Sequence, residues 1–354
     1  MIKHDRTDRQ TGPRVITVHQ ERSLRKLLFR WEFTIIFLFV FINIMNAMMS
    51  ENYLNMMNLS NTLKMFLDKG IVAFPMMMVL LLGEIDISVA SQIALTGTVM
   101  GWCASRGANL SVVLLAGLAL GALLGWFNGF LITKFTELSS TIITLATEIL
   151  YRGLAWMILE NNAYTNWPEA MHQFSWGSVG GIPVILFVFF AEILVFAYVI
   201  HFTKFGRSLY AMGRNEKASL YSGLRTGRIK RLVYMLTGIF SALASVFLCS
   251  KLGSSRANMA MNYEMDVIAM VILGGVSVSG GVGSVAGVAF SVFVIGLLRY
   301  GLGLINVSSE IIMIIIGTLL IVPIAIPNLK RFAGESDFLP LRKRSRAPGR
   351  TQGE

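Results

Sequence analysis

The chain alternates long apolar stretches with short polar segments. A membrane-crossing helix needs about twenty consecutive apolar residues, and stretches of about that length lie at 32–49, 110–132, 138–159, 182–203, 232–250, 285–305 and 308–327. Two further apolar segments, 70–83 and 88–105, flank a polar sequence at 84–86. Segment 264–276 is apolar but short for a span, and 52–67 has the pattern of an amphipathic helix that leads into the next one. The pattern predicts an all-α polytopic membrane protein.

Basic residues mark the loops between these stretches. Of the 31 Lys and Arg residues, 23 fall in the segments 1–30, 204–231 and 330–350. Positive loops of membrane proteins stay in the cytoplasm, so an even number of crossings must separate each pair of segments. If every short apolar segment crosses, six crossings precede residue 204 and four follow residue 231. The sequence therefore predicts about ten transmembrane helices, with broken or re-entrant segments among them and cytoplasmic N- and C-termini.

The composition excludes a large soluble domain. Hydrophobic residues make up 54% of the chain and charged residues 14%, unlike a soluble domain of this size. The predicted organisation is a cytoplasmic basic segment over 1–31, one transmembrane domain over 32–328 with a cytoplasmic loop at 204–231, and a cytoplasmic basic tail over 329–354. Orientation in the membrane explains the net charge of +11, so nucleic acid is not an expected partner.

Glycine recurs every four residues in the stretch 110–132, at Gly117, Gly121, Gly125 and Gly129. Small residues at this spacing line one helix face and let two membrane helices approach closely. Such a face forms either the interface of a dimer or a contact between two helices of the same chain. We favour a contact within the chain.

The polar interruption at 84–86 contains two carboxylates, Glu84 and Asp86, and Ser88 follows. Carboxylates at membrane depth are costly and usually face a cavity or a partner. Alternatively, Asp86 caps a helix that begins near Ser88, because its side chain can accept a backbone N–H. We favour capping as the main role of Asp86.

A second interruption is the glycine-rich run 273–284, which contains Ser277 and Ser279. Irregular backbone within an apolar region is tolerated only where protein or a water-lined cavity satisfies it. No Gly-Lys pair occurs in the chain, so the phosphate loop that cradles a nucleotide is absent. Cys103 and Cys249 both lie in apolar stretches and predict neither a disulfide nor a metal site.

The loop 204–231 carries eight basic residues and one acid, Glu216. It contains a predicted short helix, Asn215–Leu224, that Gly223 ends. A solvated positive-inside loop explains the charge by itself.

Glu148 and Arg152 are a charged pair within an apolar stretch. They are four residues apart and therefore share one face of a helix. We expect them to form an intramembrane ion pair that neutralises both charges. A role in transport is the alternative.

Five blocks of sequence carry a family resemblance. They are GEIDISVAS at 83–91, GWFNG at 125–129, ITLATEILYRGLA at 143–155, FGRSLYAMGRNEKASLYSGL at 205–224, and LGGVSVSGGVGSVAG at 273–287 with GLLRYGL at 296–302. Together and in this order they resemble the membrane-spanning permease subunit of bacterial ABC sugar importers of the ribose/xylose type, a group that includes autoinducer-2 permeases. Glu84, Ala90 and Ala146 stand where that family has glycine.

The resemblance implies a ten-helix permease in the bacterial cytoplasmic (inner) membrane, in contact with lipid. The implied partners are two ATP-binding cassette subunits, a second permease copy or paralogue, and a periplasmic sugar-binding protein. ATP and Mg²⁺ would bind the partner subunits, so this chain is expected to hold no cofactor and to be no enzyme. The implied ATPase coupling loop includes Gly206, Arg207, Gly213, Asn215, Glu216, Ala218 and Gly223.

The leading hypothesis is the translocation subunit of an importer that takes up a monosaccharide or a similar small polyhydroxylated compound by alternating access. The residues expected to line the substrate path or to break helices are Glu84, Asp86, Ser88, Asn128, Ser277 and Ser279. The alternative is an ion-coupled secondary transporter of a small polar solute, in which Glu84, Asp86, Glu148 or Asp266 titrates. Secondary transporters with inverted repeats have interrupted helices at corresponding positions of their two halves. In this chain the two interruptions do not lie at corresponding positions along the two halves of the sequence.

Overall fold

A computed structural model describes residues 31–49, 51, 53–160, 162–319 and 321. Apart from Trp31, the predicted terminal segments 1–31 and 329–354 lie outside the described residues. The helices are α1 (Trp31–Met49), α2 (Met56–Leu81), α3 (Val89–Ser105), α4 (Leu110–Lys134), α5 (Ser140–Leu159), α6 (Gln173–Trp176), α7 (Val184–Phe202), α8 (Lys204–Arg214), α9 (Glu216–Tyr221), α10 (Thr226–Leu252), α11 (Tyr263–Leu273), α12 (Val285–Leu304) and α13 (Ser309–Leu319). Strands β1 (Ser178–Val179) and β2 (Ile182–Pro183) form a short antiparallel hairpin after a single 3₁₀ turn at Glu169–His172.

Five of the described helices are long and apolar enough to cross a membrane, namely α4, α5, α7, α10 and α12. The described parts of α1 and α13 are apolar but shorter. The predicted all-α membrane class is therefore confirmed. The predicted spans agree with these helices to within a few residues, except that α10 begins at Thr226 instead of residue 232.

The central helix α2 is one continuous helix of 26 residues, although the pattern predicts an amphipathic helix over 52–67 and a separate span over 70–83. The lone Gly70 between these two segments lies directly against Phe189 of α7 and does not interrupt the helix. Every residue from Gly70 to Leu81 is buried, and α7, α10, α11 and α12 all contact the helix. A helix that is apolar on all sides is buried on all sides, which is why the bundle is built around α2.

Helices α4 and α10 approach each other through glycine. Gly121 lies so close to Gly238 that a Cβ on either residue would overlap the carbonyl oxygen of the other. One turn further, Gly125 lies against the carbonyl group of Tyr234. Such close approach stabilises helix pairs in membranes, where burial from water no longer drives association. The prediction that this glycine face packs within the chain is therefore confirmed.

Helix α11 is short and is held by ion pairs. Its 11 residues rise about 16 Å, about half the thickness of a bilayer core. Asp266 on α11 pairs with Lys69 of α2 at 2.6 Å and with Arg299 of α12. The neighbouring Asp68 of α2 pairs with Lys251 of α10, also at 2.6 Å. The sequence pattern did not identify these pairs, because each one joins helices that are distant along the chain.

Candidate coupling and translocation site

Two interruptions of the helices meet at one end of the bundle. The first is the segment 82–88 between α2 and α3, and the second is the glycine-rich segment 274–284 between α11 and α12. The backbone N–H of Gly281 donates to the carbonyl oxygen of Leu81 at 2.9 Å. The sequence pattern predicts both interruptions, but it does not predict their contact.

The two serines of the second interruption shape this contact. Ser277 Oγ accepts the backbone N–H of Ser279 at 3.2 Å. The carbonyl group of Ser279 lies against Gly83 of the first interruption. Gly83 has φ +76°, a conformation that favours glycine. Ser277 and Ser279 therefore belong to the turn that joins the interruptions.

Helix α8 packs on the meeting point. A Cβ at Gly213 would overlap both the carbonyl oxygen of Leu81 and the backbone nitrogen of Gly281, so the approach requires glycine. One turn earlier, the hydroxyl of Tyr210 donates to the carbonyl oxygen of Gly283 at 2.9 Å. Burial raises the pKa of the Tyr210 phenol, which keeps the hydroxyl protonated as a donor. The segment predicted to couple to an ATPase thus touches both interruptions.

Helix α9 follows within the predicted helix Asn215–Leu224 and covers Glu216–Tyr221. The side chain of Asn215 caps it by accepting the backbone N–H of Ala218 at 2.9 Å. Gly223 follows the helix with φ +89°, which agrees with its predicted role in ending it. Glu216, Lys217 and Tyr221 of α9 are exposed, whereas Ser219 is buried.

Helix α8 was not predicted, although its sequence contains a signal. Phe205, Leu209 and Met212 recur at helical spacing, and a pattern of this kind predicts an amphipathic helix. Leu209 and Met212 are buried, whereas Arg207 is exposed. Gly206 lies where a Cβ would overlap a backbone carbonyl at the end of α7, so the α7–α8 corner is tight.

A chain of charges connects the first interruption with α9. Nζ of Lys230, on α10, lies 2.7 Å from Glu84 Oε1 and 2.8 Å from Glu216 Oε1. The side chains of Glu84 and Lys230 are 12% and 13% exposed, and that of Glu216 is 48% exposed. Glu84 therefore has a specific partner, which sequence reasoning missed because Lys230 was placed in the loop.

A buried polar network holds the start of α3. Asp86 Oδ1 accepts the backbone N–H of Ser88 at 2.9 Å and its hydroxyl at 2.6 Å. The predicted bond to a backbone N–H is present, but Ser88 is itself the N-cap residue of α3, so Asp86 holds the N-cap residue and does not cap the helix. Ser88 Oγ also accepts the side-chain amides of Gln92 and Asn128, each at 2.7 Å. Tyr151 donates its hydroxyl to Asn128 Oδ1 at 2.8 Å. The structure thus joins Asp86, Ser88 and Asn128, and it adds two residues that sequence reasoning missed.

The predicted pair of Glu148 and Arg152 is present, but its closest nitrogen and oxygen atoms are 3.8 Å apart. The shorter bonds of the Arg152 guanidinium run to the carbonyl oxygens of Ala257 and Met259, each at 2.8 Å. Arg152 therefore clamps the segment that precedes α11, in addition to neutralising Glu148.

Within the described part of the chain, no three His, Cys, Asp or Glu side chains are grouped to hold a metal ion. Cys103 and Cys249 are free thiols. Glu84, Lys230 and Glu216 bind one another, whereas Asp86 binds the backbone and hydroxyl of Ser88. Helix α8 contacts both interruptions.

The chain is similar to known transport proteins. The ribose import permease protein RbsC of Bacillus subtilis is 35% identical over 286 residues, which cover 80% of this chain and 88% of that protein. The RbsC protein of Escherichia coli K12 is 33% identical over 320 residues, 89% of this chain and 99% of that protein. The autoinducer 2 import system permease protein LsrD of Yersinia enterocolitica is 36% identical over 262 residues, 72% of this chain and 79% of that protein. No solved structure matches the chain significantly.

A family model matches the part of the chain that contains the site. The model is described as the permease component of the branched-chain amino acid transport system, and it matches residues 58–324. The match includes α2 to α12, both interruptions and the helices α8 and α9 that contact them. The chain therefore belongs to this family of transport-system permeases.

Proposed function

We propose that the chain is the translocation subunit of an ATP-driven importer that takes up a monosaccharide or a similar small polyhydroxylated compound. Relatives that match most of this chain are ribose and autoinducer 2 import permeases. The observation that carries the proposal is the contact of Gly213 with Leu81 and Gly281. Because α8 touches both interruptions, a partner that shifts α8 displaces the adjoining ends of α2 and of the segment before α12 together.

The partners proposed for the chain follow from this contact surface. Two ATP-binding cassette subunits supply ATP and Mg²⁺ and dock on the exposed faces of α8 and α9, which include Arg207 and Glu216. A second permease copy or paralogue pairs with this chain in the membrane. A periplasmic sugar-binding protein delivers the substrate at the end remote from α8. This arrangement requires ten crossings and cytoplasmic termini.

Alternating access requires a binding site that rearranges during the cycle. The network around Ser88 contains buried acceptor atoms that are free to form new hydrogen bonds in such a rearrangement. Asp86 Oδ2 and Gln92 Oε1 are buried without a hydrogen-bond partner among the described residues. Buried polar atoms are normally paired. We propose that these atoms, with Asn128, accept bonds from substrate hydroxyls or water when the path opens. Ser277 and Ser279 move with α8 in the same step.

The ion-coupled alternative is less well supported by the charges. Of the four candidate carboxylates, Glu84 is paired with Lys230, Asp266 with Lys69 and Arg299, and Glu148 with Arg152. Asp86 has no ion-pair partner among the described residues. Carboxylates fixed in ion pairs act as structural links, whereas a coupling carboxylate has to release its partner in each cycle. Three of the four carboxylates therefore have a structural role in this geometry, and Asp86 is the one that an ion-coupled mechanism would have to use.

Uptake into proteoliposomes tests the proposal. The chain is reconstituted with its co-purifying ATP-binding subunit and a sugar-binding protein, with ATP inside and labelled D-ribose, D-xylose or D-glucose outside. We expect uptake that requires ATP and that persists when a protonophore and a sodium ionophore dissipate the ion gradients. Uptake that disappears with the gradients while ATP is retained would instead establish the ion-coupled transporter.

A further inference from the structure

Two adjoining cavities lie between α5 and the segment 253–262 that precedes α11. Their volumes are about 270 and 160 Å³, and both are lined by Trp156 and Asn258. The smaller cavity is also lined by Glu148, Arg152 and Glu264. Neither cavity includes residues of the helix interruptions or of α8.

The cavities occupy the half of α5 that is remote from the coupling helices. The hydroxyl of Thr144, near the start of α5, donates to the carbonyl oxygen of Ile85 and accepts the backbone N–H of Ile87 in the first interruption. Trp156 is twelve residues further along, about 18 Å at the helical rise. A solute that arrives from the side opposite the ATPase therefore meets these cavities before the buried network around Ser88.

The smaller cavity offers hydrogen-bond acceptors and little free positive charge. Glu264 Oε2 is buried and has no hydrogen-bond partner among the described residues. Arg152 is the only cation among the residues that line this cavity. Its guanidinium already donates to the carbonyl oxygens of Ala257 and Met259 and forms a longer ion pair with Glu148. In the smaller cavity an amino acid would leave its carboxylate without a free cation, whereas the exposed Arg256 lines the larger cavity, so an amino acid is the competing ligand that the test has to include. Uncharged hydroxyl groups, in contrast, donate to carboxylates and exchange bonds with amides.

The ring of Trp156 supplies the apolar part of the site. It is 43% exposed and lines both cavities. Small-molecule sites combine aromatic walls with a few placed polar groups, and a sugar presents an apolar C–H face as well as hydroxyls. We propose that these cavities form an entry site for a carbohydrate, with Trp156 against its C–H face and Glu264 accepting a hydroxyl. This inference rests on the proposed function and names its substrate class at a defined place.

Direct binding to the permease tests the entry site. The full chain with its co-purifying ATP-binding subunit is placed in lipid nanodiscs without a binding protein, and saturation-transfer NMR measures binding of D-ribose, D-xylose and D-glucose, with L-leucine as a non-carbohydrate probe. We expect saturable binding of at least one sugar, and a loss of about tenfold in affinity for Trp156→Ala and for Glu264→Gln. The matched variants Trp102→Ala and Glu310→Gln lie outside the cavities and are expected to bind like the unaltered chain.

Failure of the entry site and failure of the proposed function would give different results. Binding by none of the three sugars, equal losses in the matched variants, or L-leucine binding that Trp156→Ala abolishes would each overturn the entry site. Glu264→Gln conserves shape, and the amount of co-purified ATP-binding subunit checks its folding. Failure of the proposed function shows instead as the absence of that subunit or of ATP-dependent uptake, and in that case the permease alone in nanodiscs still decides the binding question.

Discussion

Nζ of Lys230 lies 2.7 Å from Glu84 Oε1, and this ion pair joins the first helix interruption to the start of α10. The same ammonium group binds Glu216 on α9 at 2.8 Å. Both Glu84 and Lys230 are largely withdrawn from solvent, so the pair is not a mobile surface contact. A displacement of α9 by a partner subunit therefore reaches the end of α2 by two routes, through Gly213 and through this pair.

Removing one member of the pair is expected to destabilise the chain. Lys230→Met leaves Glu84 without its cation, and a broken buried pair costs about 3 kcal/mol in the free energy of unfolding. The double variant Glu84→Gln/Lys230→Met carries no unpaired charge at these two positions and should recover part of that loss. Chemical denaturation in detergent measures both. If Lys230→Met is no less stable than the exposed control Lys217→Met, the pair is not structural.

The contact at Gly213 predicts a selective loss of coupling. Gly213→Ala places a methyl group onto the carbonyl of Leu81, and overpacking of this kind costs about 1–3 kcal/mol. We expect the amount of substrate taken up per ATP hydrolysed to fall, because α8 is pushed away from both interruptions. The control is Gly227→Ala, where the nearest atom lies 3.7 Å from the added Cβ. Equal ratios in the two variants would show that α8 does not transmit the ATPase signal.

Asp86 is predicted to matter more for folding than for substrate choice. Asp86→Ala removes the acceptor of both bonds from Ser88, and leaving such donors unsatisfied costs about 1–3 kcal/mol. Asp86→Asn keeps one acceptor oxygen and should fold better than Asp86→Ala. The yield of monodisperse protein in size-exclusion chromatography measures the effect. A normal yield of Asp86→Ala together with a changed preference among sugars would assign Asp86 to the substrate path.

The positions of the five long apolar helices follow from the sequence, because an apolar stretch of bilayer length leaves little choice of backbone structure. The interruption at 82–88 and the bond from the Ser88 backbone to Asp86 are local features, and the neighbouring residues predict them. The prediction missed helix α8 because its basic residues by themselves fit a solvated cytoplasmic loop. The helical spacing of Leu209 and Met212 was the signal for the helix. The packing of α8 against the two interruptions could not be predicted, because the charge pattern of a sequence does not specify which loops contact each other.

The sequence likewise predicts the partners of charged residues only where the two residues are close along the chain. Glu148 and Arg152 are four residues apart, and their pairing was predicted from helical geometry. The main partners of Arg152 are backbone carbonyls more than a hundred positions away along the chain, which no spacing rule identifies. The Asp266–Lys69 pair likewise depends on the packing of α11 against α2.

The clamp by Arg152 predicts local ordering of the segment before α11. In Arg152→Lys the charge is kept, but a single ammonium group cannot reproduce a guanidinium that binds two carbonyls and Glu148. Bonds to a charged donor contribute about 1.5–3 kcal/mol, so amide hydrogen exchange in residues 253–262 should become at least about tenfold faster. The control is Arg106→Lys, whose guanidinium lies over Trp102 at 4.0 Å and does not contact this segment. Unchanged exchange in Arg152→Lys would show that the segment is held by its apolar contacts, and the wall of the proposed entry site would then not depend on Arg152.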